Sequence, residues 1–205
     1  MGSVAERRIM KELSEMAELS KDNSMPSVEM IDNRMCNLKG HIPGPPDTPY
    51  VNGNFEIEVI IPKDSYPFSP PKCRFVTRIW HPNISSVTGA ICLDILKDNW
   101  AASMTIRTVL LSIQAMLGQP QPNDPQDAVV ARQYRNNIET FKITARFWTN
   151  FWAIKAPISQ NSDLFSCEEK LKSIVDSCHV ERSTALTVLS QHAWDVSAAK
   201  QSLIN

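Results

Sequence analysis

Phe55-Glu56-Ile57-Glu58-Val59-Ile60-Ile61 is the stretch from which the fold of this chain is inferred. Its alternation places Phe55, Ile57, Val59 and Ile61 on one face of an extended segment and the two glutamates on the other. A period of two residues is typical of a β-strand that buries one face and leaves the other in water. The stretch therefore predicts a strand of a half-covered sheet.

Three further segments with strand character flank this one, at Val28–Ile31, Met35–Ile42 and Cys73–Val76. Proline-rich turn stretches, 43–49 and 66–71, separate them. Connections this short favour antiparallel pairing of neighbouring strands. The sequence thus predicts a four-stranded antiparallel meander.

Helical periodicity is present on both sides of the predicted sheet, at 3–20, 105–117 and 141–153. Ser3 and Glu6 are predicted to form a capping box at the start of the first helix. After a proline-rich break at 120–123, Asp124 is predicted to cap a helix that has Pro125 at its first position.

The last part of the chain divides into three short amphipathic pieces, Cys167–Ser177, Ser183–Gln191 and Val196–Ile204. They predict a small three-helix bundle, separate from the rest of the molecule. The predicted fold class is α+β: an N-terminal helix, the meander, a long irregular loop and C-terminal helices, followed by this bundle. The predicted divisions are a first domain at 1–156, a linker at 157–165 and a second domain at 166–205.

Composition argues against several classes of protein. Lys and Arg number 21 against 22 Asp and Glu, a formal net charge of −1, so no basic excess indicates a nucleic-acid partner. The chain has no secretory signal at its charged N-terminus and no apolar run of about 18 residues, so no membrane partner is expected. Five widely spaced cysteines, an odd number, favour a reduced compartment, the cytoplasm or the nucleus.

The segment 78–103 has little periodicity, and irregular segments of this length inside a domain are usually functional. It contains Cys92, and a thiolate in an exposed loop is a good acyl acceptor. The amide of Asn83 can donate to an oxyanion but cannot act as a base. The pair favours acyl transfer to a group with its own lone pair, such as an amine. On chemistry alone, an inert buried thiol and a turn-forming asparagine remain open alternatives.

The run His81-Pro82-Asn83, followed by Ile91-Cys92-Leu93-Asp94 and Trp100, resembles the active-site signature of ubiquitin-conjugating enzymes. Tyr-Pro-Phe-Ser-Pro-Pro-Lys at 66–72 and Pro-Asn-Asp-Pro at 122–125 match the same family in the same order. The likeness covers about residues 4–155, and the tail resembles a ubiquitin-associated domain. The layout is similar to the class with such a C-terminal domain, the 25-kilodalton, huntingtin-interacting type. The resemblance implies the ubiquitin-conjugating fold.

The same resemblance implies roles for residues of the loop. Cys92 matches the cysteine that carries ubiquitin as a thioester. Asn83 matches the asparagine that stabilises the oxyanion or holds the active-site loop, and both roles remain open. Asp124 matches the acidic residue that orients or deprotonates the incoming lysine, and Asp94 a second acidic residue near it. His81 matches a structural position that ties down the loop.

Partner surfaces follow from the resemblance as well. Ligase contacts are implied at Phe68, Trp100 and Ala101, although Trp100 is expected to pack largely into the core. Contacts with the activating enzyme are implied at Arg7, Arg8 and Lys11. The expected partners are ubiquitin, the activating enzyme, ubiquitin ligases of the RING type and substrate proteins. No bound cofactor is expected, since ATP is consumed by the activating enzyme.

The tail departs from the family pattern at its expected ubiquitin-binding surface. Where ubiquitin-associated domains usually have a Met-Gly-Phe-type loop, this chain has Cys178-His179-Val180, whereas the aliphatic pair Leu203-Ile204 is kept. Weaker ubiquitin binding is therefore predicted. Adjacent Cys178 and His179 lack the paired spacing of zinc modules, so no metal site is predicted.

Two other functions remain open from the sequence. A catalytically silent scaffold that binds ubiquitin could have the same fold, although such proteins typically lose the cysteine. An enzyme for a different ubiquitin-like modifier is the second alternative, and the ubiquitin-associated tail argues for ubiquitin itself.

Overall fold

The structure, a computed structural model, describes residues 4–19, 23–155 and 162–204. Its sheet contains the four predicted strands, β1 (Ser27–Ile31), β2 (Arg34–Pro43), β3 (Asn54–Ile60) and β4 (Lys72–Phe75). Each strand pairs antiparallel with the next in the order β1-β2-β3-β4. The predicted meander is confirmed, with bounds that differ by one residue.

The two faces of the sheet differ as the alternation in β3 predicts. Phe55, Ile57 and Val59 are completely buried on the inner face. The outer face is charged, and Arg74 on β4 donates to Glu58 on β3 at 2.6 Å. Gly40 allows the inner face to be covered closely, because a Cβ at this position would lie 3.3 Å from the side chain of Leu110.

Seven α-helices occur in the described ranges. Those of the first 155 residues are α1 (Val4–Leu19), α2 (Ile106–Gly118), α3 (Ala128–Asn136) and α4 (Ile138–Trp148), which continues as a π-helical segment, Thr149–Ile154. The tail contributes α5 (Ser162–Cys178), α6 (Arg182–Gln191) and α7 (Val196–Ile204). A 3-10 turn lies at Asp94–Leu96. Ser3, the predicted cap of α1, lies outside the described residues. No described helix has the length and apolar character needed to span a bilayer.

A buried carboxylate joins α1 to α2 and to the loop before β4. Glu12 is only 3% exposed and accepts hydrogen bonds from the hydroxyl of Tyr66 at 2.9 Å and the backbone N–H of Ile106 at 2.8 Å. Arg8, one turn earlier on α1, donates to the same carboxylate. Glu12 therefore satisfies an N–H group at the start of α2, a group that has no partner within its own helix.

The helix after the proline-rich break begins later than predicted. Asp127, not Asp124, is the N-cap of α3, and its Oδ1 accepts from the N–H groups of Val129 and Val130, each at 3.2 Å. The prediction that Asp124 caps a helix starting at Pro125 is wrong. The carboxylate of Asp124 is thereby left free of a capping role.

The three-helix bundle is present, but it is not separate. Trp148 of α4 donates from its indole N–H to the hydroxyl of Ser190 on α6 at 2.8 Å. Trp194, between α6 and α7, donates to Thr144 of α4 at 2.9 Å, and its ring lies 5.1 Å from that of Phe147. The buried apolar residues of the tail are continuous with the main core. The bundle thus packs against α4, and the prediction of a detached unit is wrong. Its first helix also starts before residue 166, inside the predicted linker.

Candidate active site

The segment that carries Cys92 is folded back on itself beside β4. Short antiparallel bridges join Ile84 to Ile91 and Arg74 to Ala90, and the N–H of Cys92 donates to the carbonyl of Asn83 at 2.9 Å. Gly89 makes the turn with a φ of +75°, and a Cβ there would lie 2.0 Å from the carbonyl oxygen of Phe75. The segment is irregular in pattern, but it is held in one conformation.

His81 fixes the base of this segment. The ring is completely buried; Nδ1 accepts the N–H of Asn83 at 3.0 Å, and Nε2 lies 3.1 Å from the carbonyl of Met116. Because Nδ1 must accept, the hydrogen is on Nε2 and is donated to Met116. Burial lowers the pKa of His81 to about 3, although the bond to Met116 opposes this shift. A neutral ring held on both sides agrees with the structural position that the resemblance implies.

Asn83 is 3% exposed, and its side chain is committed to one neighbouring loop. Nδ2 donates to the carbonyls of Gln121 and Asp124, each at 3.0 Å, and Oδ1 accepts from the N–H of Gln121 at 2.8 Å. An amide has two N–H donors, and both are used here. Of the two roles left open by the sequence, this geometry favours holding the loop, since donation to an oxyanion would require one of these bonds to break.

The thiol of Cys92 opens into a cleft of about 610 Å³. Its Sγ lies 4.0 Å from Oδ2 of Asp124 and 3.8 Å from Nζ of Lys97. Asp94 lines the same cleft from the 3-10 turn, where it accepts from the N–H of Ile95 at 2.8 Å and from the side chain of Asn99 at 2.7 Å. The structure thus brings Cys92, Asn83, Asp94 and Asp124 to one place.

Two of the other cysteine thiols are made unreactive by desolvation. Burial raises the pKa of Cys73 and of Cys167 to about 12, which keeps both thiols protonated and unreactive at neutral pH. Cys92 is partly exposed beside an exposed lysine. Lys97 was not singled out by the sequence analysis; its position on the turn that follows Cys92 was the only signal available.

The predicted ligase surface forms around a proline-stiffened loop. Phe68 is 81% exposed, and Ala101 is exposed as well. Trp100 is partly buried against the ring of Tyr66 and donates its indole N–H to the carbonyl of Pro67 at 2.8 Å. Trp100 therefore stabilises the loop that presents Phe68, in line with its expected packing role.

The three basic residues expected to contact the activating enzyme differ in exposure. Arg7 and Lys11 are exposed on α1. Arg8 is half-buried, is paired with Glu12 and donates to the carbonyl of Met104 at 3.1 Å. Arg8 is thus held by contacts within the molecule, which leaves Arg7 and Lys11 as the better presented charges.

The expected ubiquitin-binding positions of the tail lie after α5 and at the end of α7. Cys178 is the last residue of α5, and His179 and Val180 follow it before α6 begins; His179 has a φ of +54°. At the end of α7, Leu203 is partly buried and Ile204 is 81% exposed. Within the described part of the chain, no group of three or more His, Cys, Asp or Glu side chains is arranged to hold a metal ion.

Comparisons with known proteins identify the family of the chain. The family model described as ubiquitin-conjugating enzyme matches residues 8–149. Ubiquitin-conjugating enzyme E2 K of Homo sapiens is 49% identical over 209 residues, and ubiquitin-conjugating enzyme E2-22 kDa of Drosophila melanogaster is 45% identical over 206; both alignments cover 100% of each chain. The E2 domain of a Toxoplasma gondii ubiquitin conjugating enzyme aligns with a TM-score of 0.68 at 49% identity, covering 72% of this chain and 99% of that domain. The chain therefore belongs to the ubiquitin-conjugating enzyme family, whose members are transferases that act through a thioester intermediate.

Proposed function

We propose that Cys92 is the residue on which this ubiquitin-conjugating enzyme carries ubiquitin. The observation that supports this most strongly is the cleft, where the Sγ of Cys92 lies within 4.0 Å of the carboxylate of Asp124. The thiols of Cys73 and Cys167, whose pKa desolvation raises to about 12, are unsuited to the task. An accessible sulfur beside an acceptor for protons is what two successive acyl transfers need.

The first transfer loads Cys92. Its thiolate attacks the carbonyl of the thioester that joins ubiquitin to the activating enzyme. A new C–S bond to Cys92 forms, the old C–S bond breaks, and the thiolate of the activating enzyme leaves. In the second transfer, a lysine amine attacks the Cys92 thioester, the C–S bond breaks, and an isopeptide bond forms. The amine loses a proton in this step, and the carboxylate of Asp124 accepts it or orients the amine. Asn83 contributes by holding residues 121 and 124 in place.

Membership of the family implies ubiquitin, an activating enzyme and ubiquitin ligases as partners. We propose the more specific partners from the exposure of individual residues. Phe68 suits a RING-type ligase, because an exposed aromatic ring on a stiff loop loses little entropy on docking. Lysines of substrate proteins or of ubiquitin itself would then enter the cleft. The enzyme would bind no cofactor, since ATP is consumed by the activating enzyme, and it would act in the cytoplasm or the nucleus.

Discharge of the loaded enzyme tests the role of the cleft. Asp124→Ala should form the thioester normally but should transfer ubiquitin to free lysine about 10²-fold more slowly at neutral pH, the lower end of the usual contribution of a positioned general base. The defect should shrink near pH 10, where more of the lysine amine is already deprotonated. Single-turnover discharge at both pH values measures this.

Asp176→Ala is the matched control, because it removes an equal charge from an exposed position on α5. It should discharge at the parent rate. Normal discharge by Asp124→Ala at neutral pH would contradict the assignment of Asp124, whereas a defect of equal size at both pH values would mean that Asp124 orients the amine without taking its proton.

A further inference from the structure

Arg78 lies between the tail and the segment that carries Cys92. Its Nε donates to the carbonyl of Ser86 at 3.2 Å, and its Nη2 donates to the hydroxyl of Thr187 on α6, also at 3.2 Å. The guanidinium carbon lies 5.0 Å from the centre of the Trp148 ring and 5.2 Å from that of Trp152. One side chain thus contacts α6, the end of α4 and the active-site segment.

The chemistry of this position suits arginine in particular. A planar guanidinium can stack on indole faces while its N–H groups donate in different directions, and a lysine ammonium cannot do both with the same geometry. The side chain is half-buried, and burial lowers its pKa from the ordinary value. The two indole faces compensate in part for the lost hydration of its charge.

From Ser86 the contacts continue to the loop that carries Asp124. The N–H and the hydroxyl of Ser86 both donate to Oδ2 of Asp127, at 3.0 and 2.6 Å. The N–H of Asp127 in turn donates to the carbonyl of Pro82 at 3.0 Å. Asp124 lies three positions earlier on this short loop, and its carbonyl is held by Asn83. Hydrogen bonds therefore hold the 121–127 loop at both ends, through Asn83 at one end and through Asp127 and Ser86 at the other.

A second line of hydrogen bonds runs in parallel through α3. The indole N–H of Trp80 donates to Oε1 of Gln133 at 2.8 Å, and Nε2 of Gln133 donates to the carbonyl of Ser190 on α6 at 3.2 Å. Trp80 immediately precedes the buried His81. Helix α6 is thus connected to the active-site segment at two places, and Arg78 is the connection that leads towards Asp124.

We propose that Arg78 is a positioning residue through which the packed tail holds the 121–127 loop, and with it Asp124, in the geometry that accelerates amine attack on the Cys92 thioester. The inference rests on the proposed role of Cys92. It concerns the second transfer only, because loading takes place in the site of the activating enzyme. The tail thereby contributes to catalysis in cis, independently of any ubiquitin that it binds.

The test uses the full-length enzyme and two variants that break the contact from opposite sides. Arg78→Met keeps most of the side-chain length without the guanidinium, and Thr187→Val removes the hydroxyl on α6 with little change of volume. Single-turnover discharge to saturating free lysine should fall about three- to tenfold for Arg78→Met, and in the same direction for Thr187→Val. Loading by the activating enzyme should stay at the parent rate. Thr184→Val, an exposed threonine on the same helix, is the matched control and should change neither step.

A double-mutant cycle separates positioning from general support of the fold. In an Asp124→Ala background, Arg78→Met should slow discharge little further, because the residue on which it acts is absent. Full additivity of the two effects would overturn the proposal. Discharge at the parent rate by both Arg78→Met and Thr187→Val would overturn it as well, and so would a loss of loading equal to the loss of discharge. If Arg78→Met does not fold, the effect of Thr187→Val decides alone. Absence of any thiol-sensitive adduct on the parent enzyme would instead refute the proposed function.

Discussion

Burial decides the chemistry of His81, a titratable residue next to the active site. Its pKa is lowered to about 3 in the folded protein, whereas an exposed histidine titrates near 6.5. Between these values the unfolded chain binds a proton that the folded protein does not. The contribution of His81 to stability is therefore complete above about pH 6.5 and is lost as the pH falls towards 3, by about 1.4 kcal/mol per pH unit.

A comparison of the parent with His81→Gln measures this effect. The variant keeps an amide donor but does not titrate, so its free energy of unfolding should fall less steeply with decreasing pH between 6.5 and 5. Urea unfolding at several pH values in this window gives both slopes, and their difference cancels the contributions of other groups. Equal slopes would show that His81 is protonated in the folded protein at these pH values.

At the scale of single residues, the sequence predicts which side chains lie close together but not which hydrogen bonds each of them makes. Cys92, Asn83, Asp94 and Asp124 lie around one cleft, as the resemblance implies. The use of Asn83 depends on the backbone carbonyls of Gln121 and Asp124, about forty positions away, which no local pattern specifies. Glu12 was missed for the same reason: it lies on the buried stripe of α1, and its partners are remote.

Helix α3 provides a prediction at the scale of the secondary-structure element. Asp127 caps its N-terminus, whereas Asp124 has no such bond. Asp127→Ala should lower the free energy of unfolding by about 1–2 kcal/mol, since that is the usual effect of removing an N-cap. Asp124→Ala should leave it nearly unchanged. Urea denaturation of the two variants measures the difference, and an equal loss in both would contradict the assignment of the cap.

The elements themselves were largely predictable, because their signals are local. Alternation specifies β3, and the apolar period gives α7 its correct bounds, Val196–Ile204. The start of α3 was not predictable, since Asp124 before Pro125 and Asp127 are both acceptable caps by local rules. The carbonyl of Pro82 and the N–H of Ser86 decide between them, and both lie about forty positions earlier in the chain.

At the scale of the whole molecule, packing of the bundle against α4 was the feature that the sequence concealed. Its contacts depend on polar side chains, Thr144, Thr187 and Ser190, which accept hydrogen bonds from tryptophan and arginine side chains. Serines and threonines on a short helix normally indicate a solvated face. Only the folded structure shows that their partners come from another part of the chain.

The tail also supports a prediction about ubiquitin binding. His179 has a φ of +54°, a conformation that favours glycine, and Val180 offers less apolar surface than phenylalanine. The variant that combines Cys178→Met, His179→Gly and Val180→Phe should therefore bind ubiquitin more tightly, by about 1 kcal/mol or roughly fivefold. Titration of labelled ubiquitin with the uncharged full-length enzyme measures the affinity. Equal affinity of the parent and the triple variant would contradict this account of the loop. Ile204→Asp places a charge at the other proposed contact and should weaken the binding of ubiquitin.

The most direct test of the central claim is the chemical nature of the bond between ubiquitin and the enzyme. After incubation with activating enzyme, ATP and ubiquitin, the parent should form an adduct one ubiquitin heavier that a reducing thiol removes. Cys36→Ser, Cys73→Ser, Cys167→Ser and Cys178→Ser should behave in the same way, whereas Cys92→Ser should form an oxyester that resists the thiol. A thiol-sensitive adduct that persists in Cys92→Ser and disappears in one of the other four variants would contradict the assignment of Cys92.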